Sequence, residues 1–234
     1  MKIRKSVWWL HKYLSYFVFL QIFLWIAGGI YFATVPFQSW VKGSDYVAPP
    51  ALATLPDGVW QVLPLDKPVR SLTALSSAQG VLVKASLPDG VMWFTAEGEP
   101  AAKATSVQIE RFAQALYRGP ASALTVQWLE VPPSQMLGLV RETGNRTGLW
   151  QASFAEGVRL YFGARGEFQL VRTDYWIWYD ALWRLHIMDY GVGEDFNNGL
   201  LRFFAWLAFV FVLTGLIMSF YAVRRTLGAT LRHK

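Results

Sequence analysis

The sequence predicts a membrane protein in which two transmembrane α-helices flank an extracytoplasmic α+β domain built on antiparallel sheets. Three observations carry this reading. Two runs, 14–35 and 203–223, reach the roughly 20 mostly apolar residues that a bilayer-spanning helix needs. All 16 acidic residues fall between Asp45 and Asp195, whereas both ends carry only basic charge. Between the ends, short apolar runs alternate with Gly, Pro and Asp turn residues, the pattern of an antiparallel domain. Composition agrees, because 53% of the residues are hydrophobic and 16% are charged, against about 25% charged in soluble domains.

Residues 1–13 carry Lys2, Arg4, Lys5 and Lys12 and no acid, so the positive-inside rule makes them a cytoplasmic N-terminus. Trp8, Trp9 and Tyr13 stand where an aromatic belt is expected, with His11 among them. The apolar run that follows, 14–35, is longer than the roughly 7–15 residues of a signal peptide, and Phe37-Gln38-Ser39-Trp40 offers no small-residue cleavage pattern. It reads as a retained first span. Within it, Gln21 is expected to face protein, and Gly28-Gly29 permits close helix approach.

Pro36 ends that helix, and 37–64 reads as an irregular linker with at most one short strand. A hairpin follows, in which Val81 to Ser86 and Val91 to Thr95 are joined across Pro88-Asp89-Gly90. Thr105 or Ser106 caps a helix whose apolar face is Ile109, Phe112, Ala113 and Leu116, and Gly119-Pro120 stops it. Strands are then expected at 124–131, 136–140, 149–154, 158–162 and 167–172. The run Ala85 to Phe94 matches Ala152 to Tyr161 at a constant offset, and Gly98-Glu99 and Gly166-Glu167 close each stretch. This suggests two small units, about 70–104 and 105–174, within the domain at 36–174.

The segment 175–198 opens with Tyr175-Trp176-Ile177-Trp178-Tyr179. Tyr175, Trp178, Leu182 and Leu185 recur at helical spacing, which predicts an interfacial aromatic helix at the outer membrane surface. A polar turn follows, in which Asp195 or Asn197 caps the second span at 199–223. The tail at 224–234 carries Arg224, Arg225, Arg232 and Lys234 without an acid, so both ends are cytoplasmic. The formal charge of +6 is therefore a topology signal. Acids slightly outnumber bases from Pro36 to Asn198, which argues against a nucleic-acid partner. With no Cys, disulfides and thiolate metal sites are excluded.

Trp9-Leu10-His11-Lys12-Tyr13-Leu14, Trp183-Arg184-Leu185-His186-Ile187-Met188 and Leu213-Thr214-Gly215-Leu216 ahead of Arg224-Arg225 resemble the PepSY-associated transmembrane family. The stretches ending in Gly98-Glu99 and Gly166-Glu167 resemble its PepSY repeats. The resemblance implies a bacterial inner-membrane protein with a periplasmic domain of two PepSY-like units. Larger relatives include reductases of iron-siderophore uptake that bind haem b through membrane histidines. This chain has only two spans and fewer histidines.

The candidate haem ligands are His11 and His186, since histidine is a usual axial ligand. Topology sets them at opposite edges of a hydrocarbon core of ~30 Å, so one chain cannot place both on one haem. Two arrangements remain. In a symmetric homodimer, paired His186 residues hold an outer haem and paired His11 residues an inner one; otherwise, another membrane-complex subunit supplies the second ligand. His233 lies at the same face as His11, and Asp189, Glu194 and Asp195 are near enough in sequence to orient His186 or bind a cation. No hydrolase, phosphate-loop or nucleotide-cofactor motif is present. The function expected is electron transfer through haem b to a periplasmic acceptor such as a ferric-siderophore. The alternative is a non-enzymatic anchored subunit whose domain holds a protein or peptide partner.

Overall fold

In a computed structural model, two long apolar helices flank a domain with two antiparallel sheets, and the structure describes residues 2–66, 68–191 and 195–230. The chain divides into two compact units, one formed by Met1–Thr34 with Tyr179–Lys234 and the other by Val35–Trp178.

In the helical unit, α1 (Lys2–Thr34) and α5 (Gly199–Thr230) form an antiparallel pair. The helix α1 starts well before the apolar run, so the basic N-terminal residues are helical too. Both helices are long and apolar enough to cross a membrane. Their outward faces are covered with large apolar side chains, among them Phe17, Leu20, Phe23 and Ile30 on α1 and Phe203, Trp206, Phe209 and Phe220 on α5. Small or polar side chains fill the seam: Val18, Gln21 and Thr214 are buried.

In the sheet-bearing unit, Pro36 leads into a π-helical turn at Phe37–Val41, and the linker adds one helical turn, α2 (Val59–Val62). The first sheet is the meander β1 (Ser71–Ser77), β2 (Gly80–Leu87) and β3 (Gly90–Thr95). Helix α3 (Ser106–Leu116) follows. Thr105 caps it through its side chain, with Gln108 reciprocating in a capping box. Ile109, Ala113 and Leu116 are buried as the periodicity predicts. The second sheet, β4 (Leu124–Leu129), β5 (Leu149–Phe154), β6 (Arg159–Phe162) and β7 (Phe168–Arg172), is again a meander. Its core joins Ile109, Ala113 and Leu116 to Ala152, Leu160 and Phe162, while Val83, Ala85 and Phe94 centre the core of the first sheet.

The expected strand at 136–140 is not formed. Met136, Leu137 and Gly138 have φ of +48°, +58° and +91°, a left-handed run that no strand accommodates. Instead, Gln135 and Val140 exchange both backbone hydrogen bonds and close a tight loop. Val140 is fully buried, whereas Leu137 projects fully exposed.

The two matched stretches fall on corresponding strands, β2–β3 and β5–β6, with Ala85 and Ala152 both fully buried. Gly98 and Gly166 are both left-handed, with φ of +89° and +82°. Each is also closely approached. A Cβ at Gly98 would lie 2.5 Å from the Val62 carbonyl oxygen, and one at Gly166 would lie 2.5 Å from the Ala78 Cβ. The latter contact belongs to a clasp between turns, in which the Ala78 N–H donates to the Gly166 carbonyl at 3.0 Å and the Gln79 Nε2 to the Arg165 carbonyl at 2.9 Å.

Helix α4 (Asp174–Ile187) begins in the sheet-bearing unit and ends in the helical one. Thr173 caps its first turn, accepting the Trp176 N–H at 3.2 Å.

Candidate functional site at the end of helix α4

The second half of α4 runs back along α1. Phe32 meets the rings of Tyr179, Trp183 and His186 at centroid distances of 4.8, 6.1 and 6.1 Å. A Cβ at Gly28 would lie 3.5 Å from the Phe32 ring and 3.8 Å from the Leu182 carbonyl oxygen, ordinary contact distances, and one at Gly29 would meet nothing within 4 Å, so neither glycine is required for the approach expected of Gly28-Gly29.

A helix leaves its last four carbonyls without intrahelical donors, and here side chains from both long helices supply them. The Gln21 Nε2 donates to the Leu185 carbonyl at 3.1 Å, the Trp25 Nε1 to the His186 carbonyl at 2.7 Å and the Asn198 Nδ2 to the Ile187 carbonyl at 2.8 Å. Met188, at φ +53°, takes the left-handed position that glycine usually fills, and the Asp189 N–H returns to the Arg184 carbonyl at 3.1 Å. Gln21 faces protein, as the sequence implies. The cap of α5 is Asn198 rather than the expected Asp195 or Asn197: its Oδ1 accepts the Leu201 N–H at 2.8 Å.

The turn after α4 is held by buried charge. Arg184 pairs with Asp180 at 3.0 Å, and both side chains are buried. Asp189, also buried, accepts the backbone N–H groups of Gly191 and Asp195 at 3.1 and 3.0 Å. Asp189 thus organises the loop backbone, and Asp195 closes its own turn on the Asn197 N–H. Glu194 and His233 lie outside the described residues.

His186 borders an apolar groove of about 440 Å³, lined also by Trp25, Trp183, Ile187 and Leu201. Its ring is parallel to that of Trp183, 2° between planes with centroids 6.2 Å apart. The buried His186 Nδ1 has no hydrogen-bond partner.

His11 is placed differently. Its ring stacks on Phe211 at 4.3 Å, within 11° of parallel, and its Nδ1 lies 2.8 Å from Thr214 Oγ1 and 3.2 Å from the Phe211 carbonyl. A carbonyl only accepts, so the Phe211 contact calls for a proton on Nδ1. Trp25, which binds the end of α4, lies roughly 14 residues, and so roughly 21 Å, along α1 from His11. The fold-back of α4 along α1 does not bring the two histidines together.

The sheet-bearing unit holds its own buried polar cluster. Glu142 accepts from Arg159 Nε at 2.9 Å, Tyr161 Oη at 2.6 Å and Gln135 Nε2 at 2.5 Å. Burial, with Glu142 alongside, pushes the Tyr161 hydroxyl well above its ordinary pKa. Arg159 also reaches Asp174 at 2.8 Å, while its Nη2 is buried without a hydrogen-bond partner. Among the described residues, no cluster of three or more His, Asp or Glu side chains could hold a metal ion.

Comparison of the chain with protein-family models, with curated proteins and with solved structures finds no match in any of the three.

Proposed function

We propose that this chain is a two-span inner-membrane protein, similar to the PepSY-associated transmembrane family, that holds haem b and passes electrons to a periplasmic acceptor such as a ferric-siderophore. The exposed apolar faces of α1 and α5 support bilayer insertion, because a water-soluble protein rarely leaves so large a contiguous apolar surface open. The acid-free basic ends favour a cytoplasmic side for both termini and a periplasmic side for the domain at 36–174.

One observation carries the cofactor reading: a half-buried imidazole whose buried Nδ1 has no hydrogen-bond partner borders an apolar groove. Its volume falls within the roughly 300–1,000 Å³ range of small-molecule sites. Haem b, when bound, supplies reversible one-electron chemistry at its iron. The chain's residues then do the rest. His186 offers a ring nitrogen; Trp25, Trp183, Ile187 and Leu201 exclude water; Gln21, Trp25 and Asn198 hold the α4 terminus that carries His186. His11 offers Nε2 at a second depth, with Thr214 fixing its ring as an orienting partner does for a ligating histidine. One chain contributes one histidine at each depth, so the second ligand comes from another copy across a two-fold axis or from another membrane-complex subunit. The expected content is one haem b per chain, measured on the intact protein purified after haem-replete expression. A haem-free dimer would overturn the reading.

A second reading has its own observation. Among the described residues, no carboxylate or carbonyl orients the His186 ring through Nδ1 as a ligating ring is normally oriented, and His11 is already accounted for as an interhelical pin. On this reading the helices anchor a binding domain or accessory subunit. Partner capture that survives His11→Ala and His186→Ala favours it.

A further inference from the structure

The antiparallel pairing of α1 and α5 brings the first residues of the chain beside the last turns of α5. Arg4, Lys5 and Arg225 there line a cavity of about 650 Å³, walled on its apolar side by Trp8, Trp9 and Tyr221. The cations have no counter-charge nearby in sequence, because no acid precedes Asp45 or follows Asp195. No described carboxylate pairs with them either. Three uncompensated cations around one cavity call for an anion, and the indole and phenol walls call for an apolar body attached to it.

We propose that this cavity binds the phosphate headgroup of an anionic phospholipid, with the acyl chains lying along the exposed apolar flanks of the two helices. The inference rests on the two-span reading above. Arginine and lysine contact phosphate oxygens directly. Trp8, Trp9 and Tyr221 are partly exposed beside them, with the amphipathic character that suits headgroup depth. The exposed apolar residues continue along both helices through Phe17 and Phe220, which supplies a path for acyl chains and gives a free phosphate nothing to bind. Basic pockets between membrane helices on the cytoplasmic side are recurrent sites for anionic lipid headgroups.

The test uses the full chain in detergent, examined by native mass spectrometry with phosphatidylglycerol, phosphatidylcholine or inorganic phosphate added. Phosphatidylglycerol should be retained over phosphatidylcholine. The triple variant Arg4→Gln, Lys5→Gln, Arg225→Gln should lose that preference by roughly tenfold or more, whereas Arg202→Gln, at the other end of α5, should keep it. Replacing Arg4 and Arg225 by Lys retains the charge and should restore most of the preference, which separates lipid contact from misfolding. Equal retention of the two lipids, a preference unchanged in the triple variant, or displacement by inorganic phosphate at millimolar concentration would each overturn the lipid site. Alkaline carbonate extraction of the native membranes separates the two claims. A chain released by carbonate removes the two-span reading and this site with it; a chain retained in the membrane without lipid preference removes this site alone.

Discussion

The Trp25 indole donates to the His186 carbonyl at 2.7 Å, so a side chain from α1 closes the last turn of α4. Together with Gln21 and Asn198, it gives three otherwise donorless carbonyls their hydrogen bonds. Trp25→Phe or Gln21→Leu removes one donor and should cost about 1–3 kcal/mol, the range for a polar group left unsatisfied away from water. The loss should appear as faster hydrogen exchange across 181–187 and a lower melting temperature of the full chain. Exchange unchanged in both variants would show that the clamp does not hold α4.

Gly98 and Gly166 combine a left-handed φ with a neighbour at 2.5 Å, whereas Gly80 is left-handed at φ +95° with nothing within 4 Å. Alanine at Gly80 should incur only the backbone strain, on the order of 1 kcal/mol. Alanine at Gly98 or Gly166 should cost clearly more, because the Val62 carbonyl or Ala78 must also move. Thermal melting of the three variants checks the order; equal shifts would mean that crowding contributes nothing.

The long helices, the capped helix α3 and most strands were legible because their signals are local: apolar length, a Thr-x-x-Gln box and turn residues between short apolar runs. The strand β1 was not, since Ser71-Leu72-Thr73-Ala74-Leu75-Ser76-Ser77 is rich in small polar residues and owes its place to pairing with β2. The loop at 136–140 reads as a strand because Met-Leu-Gly-Leu-Val is apolar; the left-handed run at Met136, Leu137 and Gly138 leaves no periodic mark. At the candidate site, the residue types were visible but their partners were not. Nothing local in the sequence says that Gln21 and Trp25 reach residues 185 and 186, or that Thr214 takes the His11 ring.

Glu142 is 2% exposed and Arg159 14% exposed, at 2.9 Å. Glu142→Leu leaves Arg159 with the exposed Asp174 at 2.8 Å and takes the acceptor from Tyr161 Oη, which should cost about 1–3 kcal/mol. Replacing both residues by Leu should recover a large part of that loss. A double variant no more stable than Glu142→Leu would show that the pair is not an energetic unit.

Tyr117 stacks on Phe154 at 3.8 Å and donates to Glu156 at 2.9 Å. Burial, then the Glu156 hydrogen bond and charge, push its pKa from 10.0 to about 12. The folded state therefore holds this proton where the unfolded chain has lost it. The stabilisation is full below pH 10 and declines as pH rises from there through about 12. Denaturation midpoints across that range should fall more steeply for the wild type than for Tyr117→Phe. Parallel pH profiles would contradict the shift.

On the proposed function, His11 and His186 serve a haem. Reduced-minus-oxidised absorption spectra of the full chain, wild type, His186→Ala and His11→Ala, measure it most directly. Cytochrome b bands are expected in the wild type, with each substitution removing about half of the intensity, since each histidine serves one of two sites at different depths. A wild-type spectrum without those bands, or bands unchanged in both variants, would contradict it.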